Sequence, residues 1–187
     1  MPSEVTSDGF IGIVGTRHRK EVRGGCFFVS TSVVGHIQVF RIDKFARTII
    51  DSLNYSCGKY KSILDAYVLM PSHLHLIVKM NDQMSLSDLM RDFKKFTSVA
   101  IKKILYASDA YGDIRRKLAG YAPKSSNRTF KLWADRFDDA AIYSEEVYLT
   151  KLNYIRNNPL KAGLVERPED YKYSSFYDPD FQGGRQK

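Results

Sequence analysis

The sequence predicts an α+β domain built on a mostly antiparallel sheet, and three observations lead there. Runs rich in β-branched and aliphatic residues are interspersed with stretches whose apolar residues recur at helical spacing. Two of the strand-like runs are joined only by Pro71-Ser72, a link of hairpin length. The resulting order is strand, helix, hairpin, helix, strand, helix. At 187 residues the chain forms one domain, long enough to bury a sizeable core.

Residues 1–23 begin polar and end basic, with Arg17, Arg19 and Lys20 close together, and read as a basic N-terminal arm. Gly24-Gly25 breaks the chain ahead of a strand over 26–34. From Asp43, a candidate N-cap, Phe45, Ile49, Ile50 and Leu53 recur at helical spacing until about Ser56, with Cys57-Gly58 as a stop. A second strand covers 62–70, and the chain returns as a third to about Met80. Alternation in that third strand sends Leu74, Leu76 and Val78 into a core and His73 and His75 to the opposite face.

Ser85 or Ser87 caps a second helix, whose apolar stripe is Leu86, Leu89, Met90, Phe93, Phe96, Val99, Ala100 and Ile104. Its other face carries Arg91, Lys94, Lys95, Lys102 and Lys103. Residues 106–131 read as a basic insertion, with Arg115, Arg116 and Lys117 on a short helix and Arg128 in a loop. A strand over 136–142 follows. Ser144-Glu145-Glu146 then opens a third long helix with good capping chemistry, and Asn157-Asn158-Pro159 ends it. The domain occupies 24–177 and a polar tail 178–187.

Net charge is +8 and the isoelectric point about 9.4, which favours a polyanionic partner, nucleic acid ahead of a membrane surface. Residues 91–131 hold eleven Lys/Arg against three Asp/Glu, so this stretch carries the excess of the whole chain. Charge concentrated in this way argues for a surface that tracks phosphates. Arg91, Lys94, Lys95, Arg115, Arg116, Lys117 and Arg128 are the candidate contacts, joined by Arg17, Arg19 and Lys20 of the arm. Cys26 and Cys57 lack metal-type spacing, and a reducing cytoplasm is the simpler expectation. Met1 to Gly9 contains no apolar run of a secretion signal, and no apolar run approaches the ~20 residues needed to span a bilayer.

Two imidazoles on one strand face can ligate one metal ion, although two ordinary half-buried histidines fit the same pattern. Downstream, Tyr154 and Asn158 stand four apart and share a helix face. A phenol can serve as a nucleophile and an amide oxygen as a ligand for a hard cation. Taken without the histidines, Tyr154 reads as a core residue and Asn158 as a helix cap.

The blocks around these residues resemble the single-tyrosine HUH transposases. His73-Leu74-His75 stands as the His–hydrophobe–His motif inside Tyr67-Val68-Leu69-Met70-Pro71-Ser72-His73-Leu74-His75-Leu76-Ile77-Val78. Asn153-Tyr154-Ile155-Arg156-Asn157-Asn158-Pro159-Leu160-Lys161-Ala162-Gly163-Leu164-Val165, followed by 168–175, is similar to the REP-associated tyrosine transposase (RAYT) branch. Phe93 to Thr97 and Leu132 to Asp138 fit as well, so the resemblance spans about residues 25–177.

It implies a ferredoxin-like or RRM-like sheet with helices on one face and the HUH motif on a central strand. It implies His73, His75 and Asn158 as ligands of a divalent metal, Mg²⁺ or Mn²⁺. Tyr154 takes the place of the nucleophile that joins cleaved single-stranded DNA as a 5′-phosphotyrosine and leaves a free 3′-OH. The partner implied is a single-stranded DNA hairpin of REP type, cut and rejoined by a monomer or homodimer. Ser72 departs from the asparagine usual before the first histidine, and Ala140 stands where relatives often carry histidine.

Overall fold

The computed structural model describes residues 23–123, 129–177 and 181. Arg17, Arg19 and Lys20 of the basic arm, Arg128, and most of the polar tail lie outside the described residues.

Strands β1 (Arg23–Ser32) and β3 (His73–Ser85) form the centre of the sheet. Strand β2 (Ile63–Leu69) flanks β3, and β4 (Asp138–Ile142) flanks β1, giving the order β2-β3-β1-β4 with every pairing antiparallel. The Pro71-Ser72 bend closes as a hairpin, Met70 N–H donating to the His73 carbonyl at 2.8 Å. The antiparallel sheet and the central position of the histidine strand agree with the sequence expectation.

Helices α1 (Asp43–Lys59) and α2 (Leu86–Tyr106) cover one face together with the short α3 (Gly112–Ala119). The main core lies here, with Val29, Leu74, Leu76 and Val78 from the sheet meeting Phe45, Ile49, Leu89 and Phe93. Leu118 of α3 is fully buried in the same core, so residues 106–123 are built into the domain rather than set apart from it. The expected helices on one face are present. In addition, α4 (Glu145–Lys161) lies on the opposite face, over a smaller cluster of Phe28, Ala66, Val68, Met70, Ile77, Ile155 and Tyr171.

Several elements differ in detail from the sequence reading. Asp43 is the first residue of α1 and not its cap. Its carboxylate is taken by Arg47, Lys172 and Tyr173, which fasten the C-terminal segment to the helix. Ser85 does cap α2, its Oγ accepting from Asp88 N–H at 3.4 Å. Beyond Phe93, however, the buried positions advance in steps of four through Thr97, Ile101 and Leu105, leaving Phe96 and Val99 exposed.

Helix α4 runs two residues past Pro159, whose missing N–H falls in the final turn. The helix closes when Gly163, at φ +64°, donates to Leu160 and Leu164 donates to Pro159. This is the paired closure a left-handed glycine permits. Among the described residues no helix is long and apolar enough to cross a membrane.

Candidate active site

Register decides what α4 looks down upon. Ser32 pairs with His73, Ser30 with His75 and Phe28 with Ile77. Across β1, Ser30 pairs with Asp138 and Phe28 with Ala140. Residues directly opposite in an antiparallel pair share a face. One row under α4 therefore reads Val68, His75, Ser30, Asp138, and the next reads Ala66, Ile77, Phe28, Ala140. Ile155 belongs to the small cluster and Tyr148, Leu152 and Tyr154 pack against it, while Lys151 and Asn158 stand three before and four after Tyr154 on the same helix.

The two histidine rings stand edge to face with centroids 4.8 Å apart. His75 is buried, and its Nε2 lies 3.5 Å from the Tyr154 hydroxyl. Phe28 sits at the middle of the group. Its ring stacks on His75 at 5.6 Å, meets Tyr154 edge-on at 5.7 Å, and carries the Lys151 ammonium 4.8 Å from its centroid.

Burial disfavours the charged imidazole, with a smaller contribution from His73 and then Lys151, and the His75 pKa is pushed down to about 3. Burial and the neighbouring His36 lower His73 as well. Both rings are therefore held toward the neutral form, the one that ligates metals. Burial also lowers the Lys151 ammonium. Ser72, the departure from asparagine, places its Oγ 3.2 Å from His73 Nδ1. When Nδ1–H donates there, the Nε2 lone pair is left for a ligand.

A divalent ion must fit the donors the chain provides. Among the described residues no cluster of three or more His, Cys, Asp or Glu exists to hold one. The donors expected from the sequence are two imidazoles, here held toward the neutral form, and the amide of Asn158, four residues beyond Tyr154 on α4. Among the described residues the buried His75 Nδ1 has no hydrogen-bond partner, so this ring nitrogen is not claimed by a neighbouring side chain there. These residues fit a borderline or hard divalent cation that keeps other positions for water or phosphate.

The expected phosphate-tracking residues divide into groups. Arg91 is paired with Asp88 and Asp92, and Arg116 with Asp113. Lys94 is half-buried and donates to the carbonyls of Ala134, Asp135 and Arg136 at 2.6–3.3 Å, so it ties the segment before β4 to α2. Arg115 lies over the Tyr106 ring and 3.5 Å from Asp109. Lys95 and Lys117 are exposed. Between α2 and residues 129–137 runs a groove of about 550 Å³, with Arg91, Lys95, Lys102 and Lys131 beside Val99 and Phe130.

Phe27 and Trp133 are core, the indole N–H donating to Thr97 Oγ1 at 2.8 Å. Phe96 is exposed and stacks on Tyr55. Sequence reasoning missed Phe28 and Lys151. The spacing of Lys151 from Tyr154 placed it on the reactive helix face, but nothing local identified Phe28 as its support.

The family described as Transposase IS200 like matches residues 36–158, a span that includes both histidines, Tyr154 and Asn158. This chain belongs to that family of transposases. A protein of Haemophilus influenzae named as a REP-associated tyrosine transposase is 22% identical over 159 residues, covering 85% of this chain and 84% of the relative. A solved REP-associated tyrosine transposase, described as bound to a REP hairpin, superposes with a TM-score of 0.65 at 20% identity. It covers 87% of this chain and 83% of that one. The IS200-like transposase fold thus extends over most of the domain.

Proposed function

We propose that this transposase cleaves and rejoins single-stranded DNA at hairpin sequences through a 5′-phosphotyrosine on Tyr154, with His73, His75 and Asn158 holding a divalent metal, Mg²⁺ or Mn²⁺. The observation that carries the reading is the Tyr154 hydroxyl 3.5 Å from His75 Nε2, on a helix face that also presents Asn158. When bound, the ion supplies Lewis-acid withdrawal of charge from the scissile phosphate.

The protein supplies the rest. Phe28 and His75 bracket the Tyr154 ring and fix the direction of its oxygen. Rejoining needs no external energy source, because the phosphotyrosine keeps the reactivity of the phosphodiester it replaces. Hairpin recognition is assigned to the basic groove of α2 and 129–137. That groove lies on the opposite side of the sheet from Tyr154, and residues 131–137 lead from it to Asp138 at the β4 edge, in the row of His75. A strand gripped at the groove reaches the active site around this edge.

The test is incubation of the protein with single-stranded oligonucleotides carrying imperfect hairpins, in Mg²⁺, Mn²⁺ or chelator, followed by a denaturing gel. A metal-dependent protein–DNA adduct is expected, and Tyr154→Phe should abolish it while hairpin affinity stays within about twofold. Adducts of normal yield in Tyr154→Phe would assign the nucleophile to another residue. Cleavage without any adduct would point to a water nucleophile.

A further inference from the structure

We propose that Lys151 is a catalytic residue whose ammonium contacts a non-bridging oxygen of the scissile phosphodiester and offsets the charge that accumulates as Tyr154 attacks. The proposal rests on the tyrosine-nucleophile reading above and adds to it a cation supplied by the protein itself.

Three observations place the group. Lys151 precedes Tyr154 by three positions, so both project from one face of α4 toward the histidine row. Its Nζ rests 4.8 Å from the centroid of Phe28, the same ring that stacks on His75 and meets Tyr154 edge-on. Phe28 is only 3% exposed, which makes it a fixed platform for the ammonium.

The step itself balances without a further reactant. The phenol proton passes to water, the Tyr154 oxygen forms a bond to phosphorus, and the bond from phosphorus to the 3′ oxygen breaks. Its electron pair leaves on that oxygen, which takes a proton from water to become the free 3′-OH. The diester enters with one negative charge on its non-bridging oxygens and gains density there in the transition state. A partly desolvated ammonium beside those oxygens acts where charge develops.

The experiment is single-turnover adduct formation on a hairpin oligonucleotide, with hairpin affinity and thermal stability measured on the same proteins. Lys151→Gln and Lys151→Met, the latter keeping the aliphatic stem over Phe28, should both slow adduct formation by about 10²-fold. Hairpin affinity should stay within about twofold, as expected for an interaction made chiefly in the transition state. Lys151→Arg, which restores the charge, should recover most of the rate. A wild-type rate in Lys151→Met would overturn the proposal, because packing alone would then suffice. Equal slowing in all three variants, in proportion to lost stability, would reduce Lys151 to a structural role. Wild-type protein that forms no adduct removes the tyrosine reading and this inference together, whereas wild-type adducts with normal Lys151→Gln kinetics remove only this inference.

Discussion

On the face covered by α1 and α2, Leu74, Leu76 and Val78 are fully buried against Phe45, Ile49, Leu89 and Phe93. On the other face, which the alternate residues His73, His75 and Ile77 share, α4 and the segment that follows it close over a cluster of seven buried residues. One strand thus serves a dry, broad core with one set of side chains and a polar site with the other. The thick side can hold the backbone of β3 and β1 in place while the thin side brings His75, Phe28 and Tyr154 together between α4 and the sheet. Rigidity at the histidines is therefore supplied from behind them.

The sharpest way to break this comparison is to truncate each side in turn. Phe93→Ala removes a fully buried ring from the thick core and should lower global stability by about 3–5 kcal/mol. Adduct formation per folded molecule should change little, because the remaining core residues behind β3 still hold the strand. Ile155→Ala, next to Tyr154 in the thin cluster, should lower stability by the smaller amount of about 2 kcal/mol yet slow adduct formation at least as strongly as it loosens the fold. Denaturant unfolding and single-turnover adduct assays on the two variants give both quantities. If Phe93→Ala slowed the chemistry and Ile155→Ala did not, the division of labour between the faces would be wrong.

A second contrast is chemical. Leucine on the thick side has no proton to gain, whereas His75 on the thin side has a pKa near 3 in the folded state against ~6.5 in an unfolded chain. Between those values the unfolded state binds the extra proton, so this histidine makes stability rise with pH and fall as acid is added. The slope from one such group is at most about 1.4 kcal/mol per pH unit. Denaturation midpoints of metal-free protein at pH 7, 5.5 and 4.5 should fall faster for wild type than for His75→Gln. Parallel curves would mean that the folded protein accommodates the charged ring.

How much of this was legible in the sequence follows from the range of each interaction. Strand alternation in Leu74-His75-Leu76 and capping at Ser85 and Ser144 are local, and they read correctly. So did the placing of Tyr154 and Asn158 on one helix face. What failed was set by tertiary contact. Asp43 looks like a cap until Lys172 and Tyr173, from the far end of the chain, claim its carboxylate. Phe96 fits the α2 stripe by spacing, but the sheet lies under Thr97, Ile101 and Leu105 instead. Lys94, expected at a phosphate-tracking surface, also lines the basic groove, but its bonds to three carbonyls of 134–136 had no local signal. Phe28 could not be singled out, because which β1 residues share the histidine face depends on the β1–β3 register.

The smallest expected effect bears on how independently α4 is held. Ser144 Oγ accepts from Val147 N–H at 3.2 Å at the start of α4, with Glu145 and Glu146 in the first turn. Ser85 makes the equivalent bond, 3.4 Å long, at the start of α2. Replacing either serine with alanine removes a cap worth about 1 kcal/mol. Because α2 is embedded in the thick core, loss of its cap should lower the stability of the whole domain. Helix α4 has fewer buried anchors, Ile155 and Pro159 among its own residues, so Ser144→Ala should act chiefly on local opening. Native-state hydrogen exchange resolves the two cases. In Ser144→Ala, protection of α4 amides should drop by about 1 kcal/mol while α2 amides hardly change. In Ser85→Ala both sets should fall together. A uniform loss in Ser144→Ala would mean that α4 opens only when the domain unfolds, and that the reactive tyrosine is held as rigidly as the histidines beneath it.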